Sequence, residues 1–117
     1  NPDRLGCCFD TCHGFAAGYD LCDASAWKDT KREIEASTGI DKLWLLHLND
    51  ALGECGSHLD RHTHIGRGKI GRMGFSRLLH DETFMDKPGI IETPKENDPA
   101  TWDKRNLTTL REIARRK

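Results

Sequence analysis

Three short apolar runs, each followed by a stretch of helical spacing, constrain this chain more than any other feature. Residues 5–10 (LGCCFD), 43–48 (LWLLHL) and 89–92 (GIIE) read as strands. The middle run is almost continuously apolar, the pattern of a strand covered on both faces. Helices are expected over 25–38, 72–80 and 103–116. The first takes Ser25 as its N-cap, sets Trp27 and Ile34 against Glu33, and stops at Gly39. The second carries Met73, Phe75, Leu78 and Leu79, and the third Leu107, Leu110 and Ile113. A loop with Gly14 and Gly18 and a polar, Gly-rich stretch from Asn49 to Gly71 fill the gaps, with no hairpin signal. Repeated βα units predict an α/β fold with parallel strands and right-handed crossovers. A three-stranded parallel sheet has two bare edges, so the expected setting is a segment of a larger sheet or barrel.

Composition narrows the classes. The chain has 117 residues, 36% hydrophobic and 32% charged, enough for one small domain with a modest core. No apolar run approaches the roughly 20 residues of a membrane span, so no membrane partner is expected. The net charge is −1, so nucleic-acid binding would have to rest on a local patch. Five cysteines without a C-x-x-C pair disfavour both a zinc knuckle and a disulfide framework, and fit a reducing, intracellular setting. The chain starts at Asn1 without a basic and apolar leader, as expected of a processed chain or a piece of a longer one.

Each predicted strand ends on a metal-capable side chain: Asp10, His47 and Glu92. Alternation sets Asp10 with Cys8 and Gly6, His47 with Leu45 and Leu43, and Glu92 with Ile90. The opposite faces carry Leu5, Cys7 and Phe9, then Trp44, Leu46 and Leu48, then Ile91, for packing under helices. Three donors at the carboxyl ends of neighbouring parallel strands occupy the position where barrels and open sheets place their sites. Singly, each also reads as a capping or turn residue.

The loops extend the set. Asp10-x-x-His13 places an imidazole just beyond the first carboxylate, and Asp60-x-His62 puts a carboxylate and an imidazole two residues apart. Histidine, aspartate and glutamate are the donor set of a catalytic rather than a structural zinc site; solvated polar loops are the bland alternative. His58, His64 and His80 read as surface or capping residues, and the cysteines as packing. Arg61, Arg67, Lys69 and Arg72 among Gly66, Gly68 and Gly71 could meet phosphates or simply water. Arg111, Arg115, Arg116 and Lys117 suit a helix C-terminus.

Four motifs carry a resemblance. FDTCHGFAAGYD (9–20), HLND (47–50), DRHTHIGRGKIG (60–71) and IIETPKE (90–96) resemble, in order and separation, the endonuclease IV family of apurinic/apyrimidinic (AP) endonucleases. The resemblance implies that residues 1–117 are the C-terminal three βα units of a (β/α)8 TIM barrel with a three-zinc (Zn2+) site at its mouth. It implies that Asp10, His47 and Glu92 serve one zinc in the catalytic centre, and His13, Asp60 and His62 another. The family's further ligands, two histidines and a bridging glutamate, belong to an N-terminal half that these residues do not include. The implied reaction is base excision repair of DNA: zinc-dependent hydrolysis of the phosphodiester 5′ of an abasic site, with the damaged nucleotide flipped out of the duplex. Arg61, Arg67 and Lys69 are the implied DNA-binding residues, contacting phosphates without reading sequence. The implied partner is abasic double-stranded DNA. The full-length enzyme is expected to be monomeric, in the nucleus or mitochondrion of a eukaryote or the cytoplasm of a bacterium. Gly14 is one departure, since the family usually has alanine there.

Two other readings stay open on the residues. One is an inactive metal- or DNA-binding remnant of the same family. The other is a metal-dependent sugar isomerase, which also uses carboxylate and histidine donors at barrel strand ends, although the 60–71 loop and the ETP strand disfavour it.

Overall fold

A computed structural model describes residues 2–116; Asn1 and Lys117, the last of the expected cationic helix end, lie outside them. Strand β1 (Cys7–Asp10) leads into helix α1 (Thr11–Ala16), followed by helix α2 (Ala24–Ser37) and strand β2 (Leu43–His47). A short hairpin, β3 (Asp50–Ala51) and β4 (His62–Thr63), precedes helix α3 (Gly71–Leu79). Strand β5 (Gly89–Ile90) and helix α4 (Pro99–Arg115) complete the chain. Strands β1, β2 and β5 form one sheet in that order, and both pairings are parallel. Among the described residues no helix is long and apolar enough to cross a membrane.

The parallel sheet agrees with the βα reading, and several details differ. The strands are shorter than expected. The last one ends at Ile90, so Glu92 lies just beyond it rather than within it. The first run is not buried: it is an edge strand, Cys8 is exposed, and Leu5 is 71% exposed. Helix α2 starts one residue early because Asp23, not Ser25, caps it, accepting the Ala26 N–H at 2.9 Å. Helix α4 starts at Pro99 rather than 103 because Asp98 caps it and proline suits the first helical turn. Gly39, at φ 84°, ends α2 as expected, its N–H returning to the Ile34 carbonyl.

Two elements depart from the expected pattern altogether. The loop expected after the first strand is helix α1, nucleated by Asp10, which accepts the His13 N–H at 3.0 Å. Gly14 lies inside that helix, where an added Cβ would sit 2.5 Å from the Phe9 ring, so Phe9 fills the space that alanine's methyl would need. The hairpin gives no sequence signal because its strands are two residues each, too short for any alternation to show. Asp50 pairs with Thr63 and Ala51 with His62, antiparallel.

One strand breaks the expected facing. Cys7 pairs with Leu43 and Cys8 with Leu45, which leaves Trp44 as an extra residue in β2. This bulge inverts the parity upstream of it. Leu43 therefore joins Leu46 and Leu48 in the core, instead of sharing a face with His47. Trp44, expected in the core, is 44% exposed, and its indole lies where a side chain on Gly6 would be. Downstream of the bulge the alternation holds, so His47 points away from the core.

Helices α2, α3 and α4 close that core. Trp27 and Ile34, Phe75 and Leu78, and Leu110 and Ile113 are all buried in one cluster with Leu43, Leu46 and Leu48. Each such side chain contributes roughly 1.5–3 kcal/mol on burial. Met73, expected with this apolar set, points outward. Among the described residues no buried side-chain nitrogen or oxygen lacks a hydrogen-bond partner.

Candidate metal centre

The register of the sheet assembles the first group of donors. Asp10 and His47 are cross-strand partners, and His47 pairs in turn with Ile90, two residues before Glu92. His47 Nδ1 lies 2.7 Å from Glu92 Oε1 and 3.8 Å from Asp10 Oδ2. One donor atom from each of Asp10, His47 and Glu92 falls within 4.8 Å of the others, and the cluster is half-buried. Asp10 has a double role. Its Oδ1 caps α1, which aims Oδ2 at the histidines.

The hairpin supplies the second group. His62 Nδ1 lies 2.9 Å from the Glu92 carbonyl oxygen, which can only accept. The Nδ1 therefore donates, and Nε2 faces Asp10 Oδ2 at 3.6 Å and Asp60 Oδ1 at 3.9 Å. Asp60 Oδ2 is 2.9 Å from His13 Nδ1. The hydrogen bond from His13 outweighs partial burial and holds the Asp60 carboxyl below the usual carboxylate range, with help from Cys12 and His62. Cys12, a packing residue on sequence grounds, is fully buried and closes a second donor cluster with Asp60 and His62. Burial first, then the bond to Asp60 and the charges of Asp60 and Asp10, push its thiol up to about 12. It is therefore a hydrogen-bond donor to Asp60 rather than a nucleophile.

Five of the six expected metal-binding side chains thus gather at one end of the sheet with Asp10 Oδ2 between the two groups, while His13, 71% exposed, reaches them only through its bond to Asp60. Carboxylate oxygens and imidazole nitrogens converge within 4 Å, an arrangement that a shared proton or a cation holds together. Nitrogen and oxygen donors without a thiolate fit a zinc ion of the catalytic type.

The expected DNA-binding residues are not buried, and two of them are engaged. Lys69 pairs with Glu54 at 3.3 Å, and the Arg67 guanidinium lies 5.3 Å from the Trp102 ring centre. The glycine-rich loop does not offer its backbone to an external anion. The N–H groups of Gly66, Gly68, Ile70 and Gly71 donate to the wholly buried Asp50 carboxylate, as does that of Ala51. Asp50 thereby caps α3, whose own N-cap residue supplies no side-chain bond.

Sequence reasoning misses three residues here. Asn49 and Asp50 stand in the HLND motif, but nothing in their spacing tells that both turn inward. His64, expected at the surface or in a cap, is 6% exposed, and its ring centre lies 3.9 Å from that of Trp102 in a stacked arrangement. Its Nε2 bonds Glu96 and its Nδ1 accepts from Asn106, which also takes the Ile65 N–H and donates to Thr93. The H-x-H spacing of His62 and His64 in an extended segment is the available signal. His80 does act as a cap, bonding the Ser76 and Ala114 carbonyls.

Comparison with known proteins accords with the fold. The family model described as "Xylose isomerase-like TIM barrel" matches residues 1–113. "Probable endonuclease 4" of Nitratidesulfovibrio vulgaris strain Hildenborough is 47% identical over 115 residues, which is 98% of this chain and 40% of that protein. The protein of the same name from Geobacter sulfurreducens is 45% identical over 116 residues, 99% of this chain and 39% of its own. Endonuclease IV from Thermus thermophilus superposes with a TM-score of 0.78 at 34% identity, over 92% of this chain and 38% of that structure. The chain thus spans about two-fifths of the length of the relatives it matches. It belongs to the xylose isomerase-like TIM barrel family, and its likeness within that family is to the endonuclease 4 proteins.

Proposed function

We propose that residues 1–117 form the C-terminal part of a TIM-barrel AP endonuclease and contribute ligands for two zinc ions. On this reading Asp10, His47 and Glu92 hold one ion, and His13, Asp60 and His62 the other. The supporting observation is the convergence of Asp10, His47 and Glu92 within 4.8 Å at the ends of three adjacent parallel strands. Bound zinc would supply positive charge for phosphate oxygens and acidity for water. The chain's own residues prepare the site. Asp10 presents Oδ2 because Oδ1 is occupied by α1, and His62 presents Nε2 because Nδ1 is held by the Glu92 carbonyl. Asp60 stays ionised through His13. On this reading the substrate is an abasic site in duplex DNA, and Arg61, Arg67 and Lys69 contact its phosphates. The relatives named above are bacterial, which supports the cytoplasm rather than an organelle as the setting. Their names also favour the nuclease over the sugar isomerase.

The test joins this chain to the remaining barrel of the Thermus thermophilus enzyme, in place of the matching segment. The chimera should nick a labelled abasic duplex in the presence of Zn2+ and lose that activity with His62→Ala or Glu92→Ala. Full activity in either variant would refute the ligand assignment. Cleavage by the 117-residue chain alone would refute the view that it supplies only part of a centre, and an inert chimera would favour the remnant.

A further inference from the structure

We infer that Asn49 is a positioning residue of this centre: its side-chain amide ties the Asp10 carboxylate to the Glu92 backbone and fixes the spacing of the two acids across His47. The inference rests on the metal reading above.

Asn49 is wholly buried and follows His47 by two residues, where β2 turns toward the hairpin. Its Oδ1 accepts the Glu92 N–H at 2.7 Å, and its Nδ2 donates to Asp10 Oδ2 at 3.2 Å. The orientation of the amide is not arbitrary, because a backbone N–H can only donate. The atom facing Glu92 is therefore the oxygen, and the atom facing Asp10 the nitrogen. The Asn49 backbone is pinned as well. Its N–H donates to Thr11 Oγ1 at 2.9 Å, and its carbonyl accepts from the same hydroxyl at 2.6 Å. Thr11 adjoins Asp10, so one residue of the central strand's extension grips the first strand by two routes and the third by one.

Both oxygens of Asp10 are consequently set. The α1 cap holds Oδ1, and Asn49 steers Oδ2 into the space it shares with His47 and His62. Only a side chain with a donor at one end and an acceptor at the other spans this gap. Aspartate would turn a second carboxylate on Asp10, and alanine would leave both partners empty. Such outer partners of metal ligands govern affinity by presetting the donors.

Co2+ serves as the probe, added to the chimera described above and to its Asn49→Asp variant, with visible spectra, affinity by chelator competition, and far-UV circular dichroism. The variant keeps the Glu92 acceptor. It is expected to bind Co2+ roughly 10–100-fold more weakly and with a shifted visible band. A merely structural role would lower the folded fraction without moving that band. Wild-type affinity and spectrum in folded Asn49→Asp overturn the positioning role and leave the metal reading standing. No Co2+ uptake by the wild type overturns both. A measurement on the wild type covers a variant that fails to fold. The Asn49 side-chain NH2, followed by 15N NMR, should exchange slowly and shift on adding Zn2+. Free exchange without a response to Zn2+ overturns the inference.

Discussion

Asp50→Asn is the substitution for which the structure sets the sharpest expectation. The change preserves shape and converts one acceptor oxygen into an NH2 group. Oδ2 accepts from Gly66, Gly68 and Gly71, while Oδ1 accepts from Ala51, Ile70 and Gly71. Whichever way the amide turns, a donor then faces at least two backbone donors, either Gly66 and Gly68 or Ala51 and Ile70. A buried N–H left without a partner costs about 1–3 kcal/mol. The bonds to Gly66 and Gly68 are only partly buried, so the amide will turn its nitrogen toward them. The expected loss is then about 2–4 kcal/mol, a large share of the roughly 5–15 kcal/mol that holds a typical domain. Urea unfolding followed by tryptophan fluorescence measures it, and amide hydrogen exchange should rise first at Gly66 and Gly68. A loss below about 1 kcal/mol, with unchanged protection at those glycines, would show that the loop is shaped by something other than this carboxylate.

Other outcomes follow from the same physics. Cys12, with its thiol raised to about 12 by burial and by Asp60, should resist iodoacetamide at about pH 8 in the native state, while exposed Cys55 is alkylated; mass spectrometry distinguishes them. Burial alone would raise the Asp81 carboxyl, but bonds from Lys31, the Thr83 N–H and Trp27 outweigh it and hold its pKa below the usual value. Its stabilising effect is therefore full above about pH 4 and lost as pH falls through the lowered value. Asp81→Asn should reduce stability at about pH 7 and flatten this acid limb in urea titrations at several pH values. Zn2+ at a hundredfold excess over its Kd should stabilise the fold by about 2.7 kcal/mol per occupied site, seen as a rise in Tm, and His47→Ala should reduce the rise by the share of its own site.

The sequence carries the donors well and their supports poorly. Asp10, His47 and Glu92 are legible because strand ends are marked by where an apolar run stops, and a parallel sheet brings such ends together. Asp60 and His62 come from spacing within a loop. The bulge at Trp44 is hidden because LWLLHL is apolar at every position but one, and such a run has no parity to read. Asn49, Asp50 and Asn106 are hidden for a different reason. Each is a polar residue that burial would penalise, and partners 13 to 43 residues away do much to offset that cost. His64 is the same case, a titratable side chain covered by Trp102 and satisfied by Glu96 and Asn106. Local pattern shows what a residue prefers, and these four are set by what the rest of the chain offers.

The donors of the centre come from separate βα units, Asp10 from the first, His47 from the second and Glu92 from the third. No two consecutive secondary elements suffice to bring all three together. Their convergence therefore requires both parallel crossovers to be complete, and contacts of such long sequence separation form slowly because chain entropy must be lost before they contribute. A chromophoric ion bound at this point would not change colour as single helices form or as the core collapses. It would report the moment at which the last strand docks, and so time the completion of the sheet from within the proposed site.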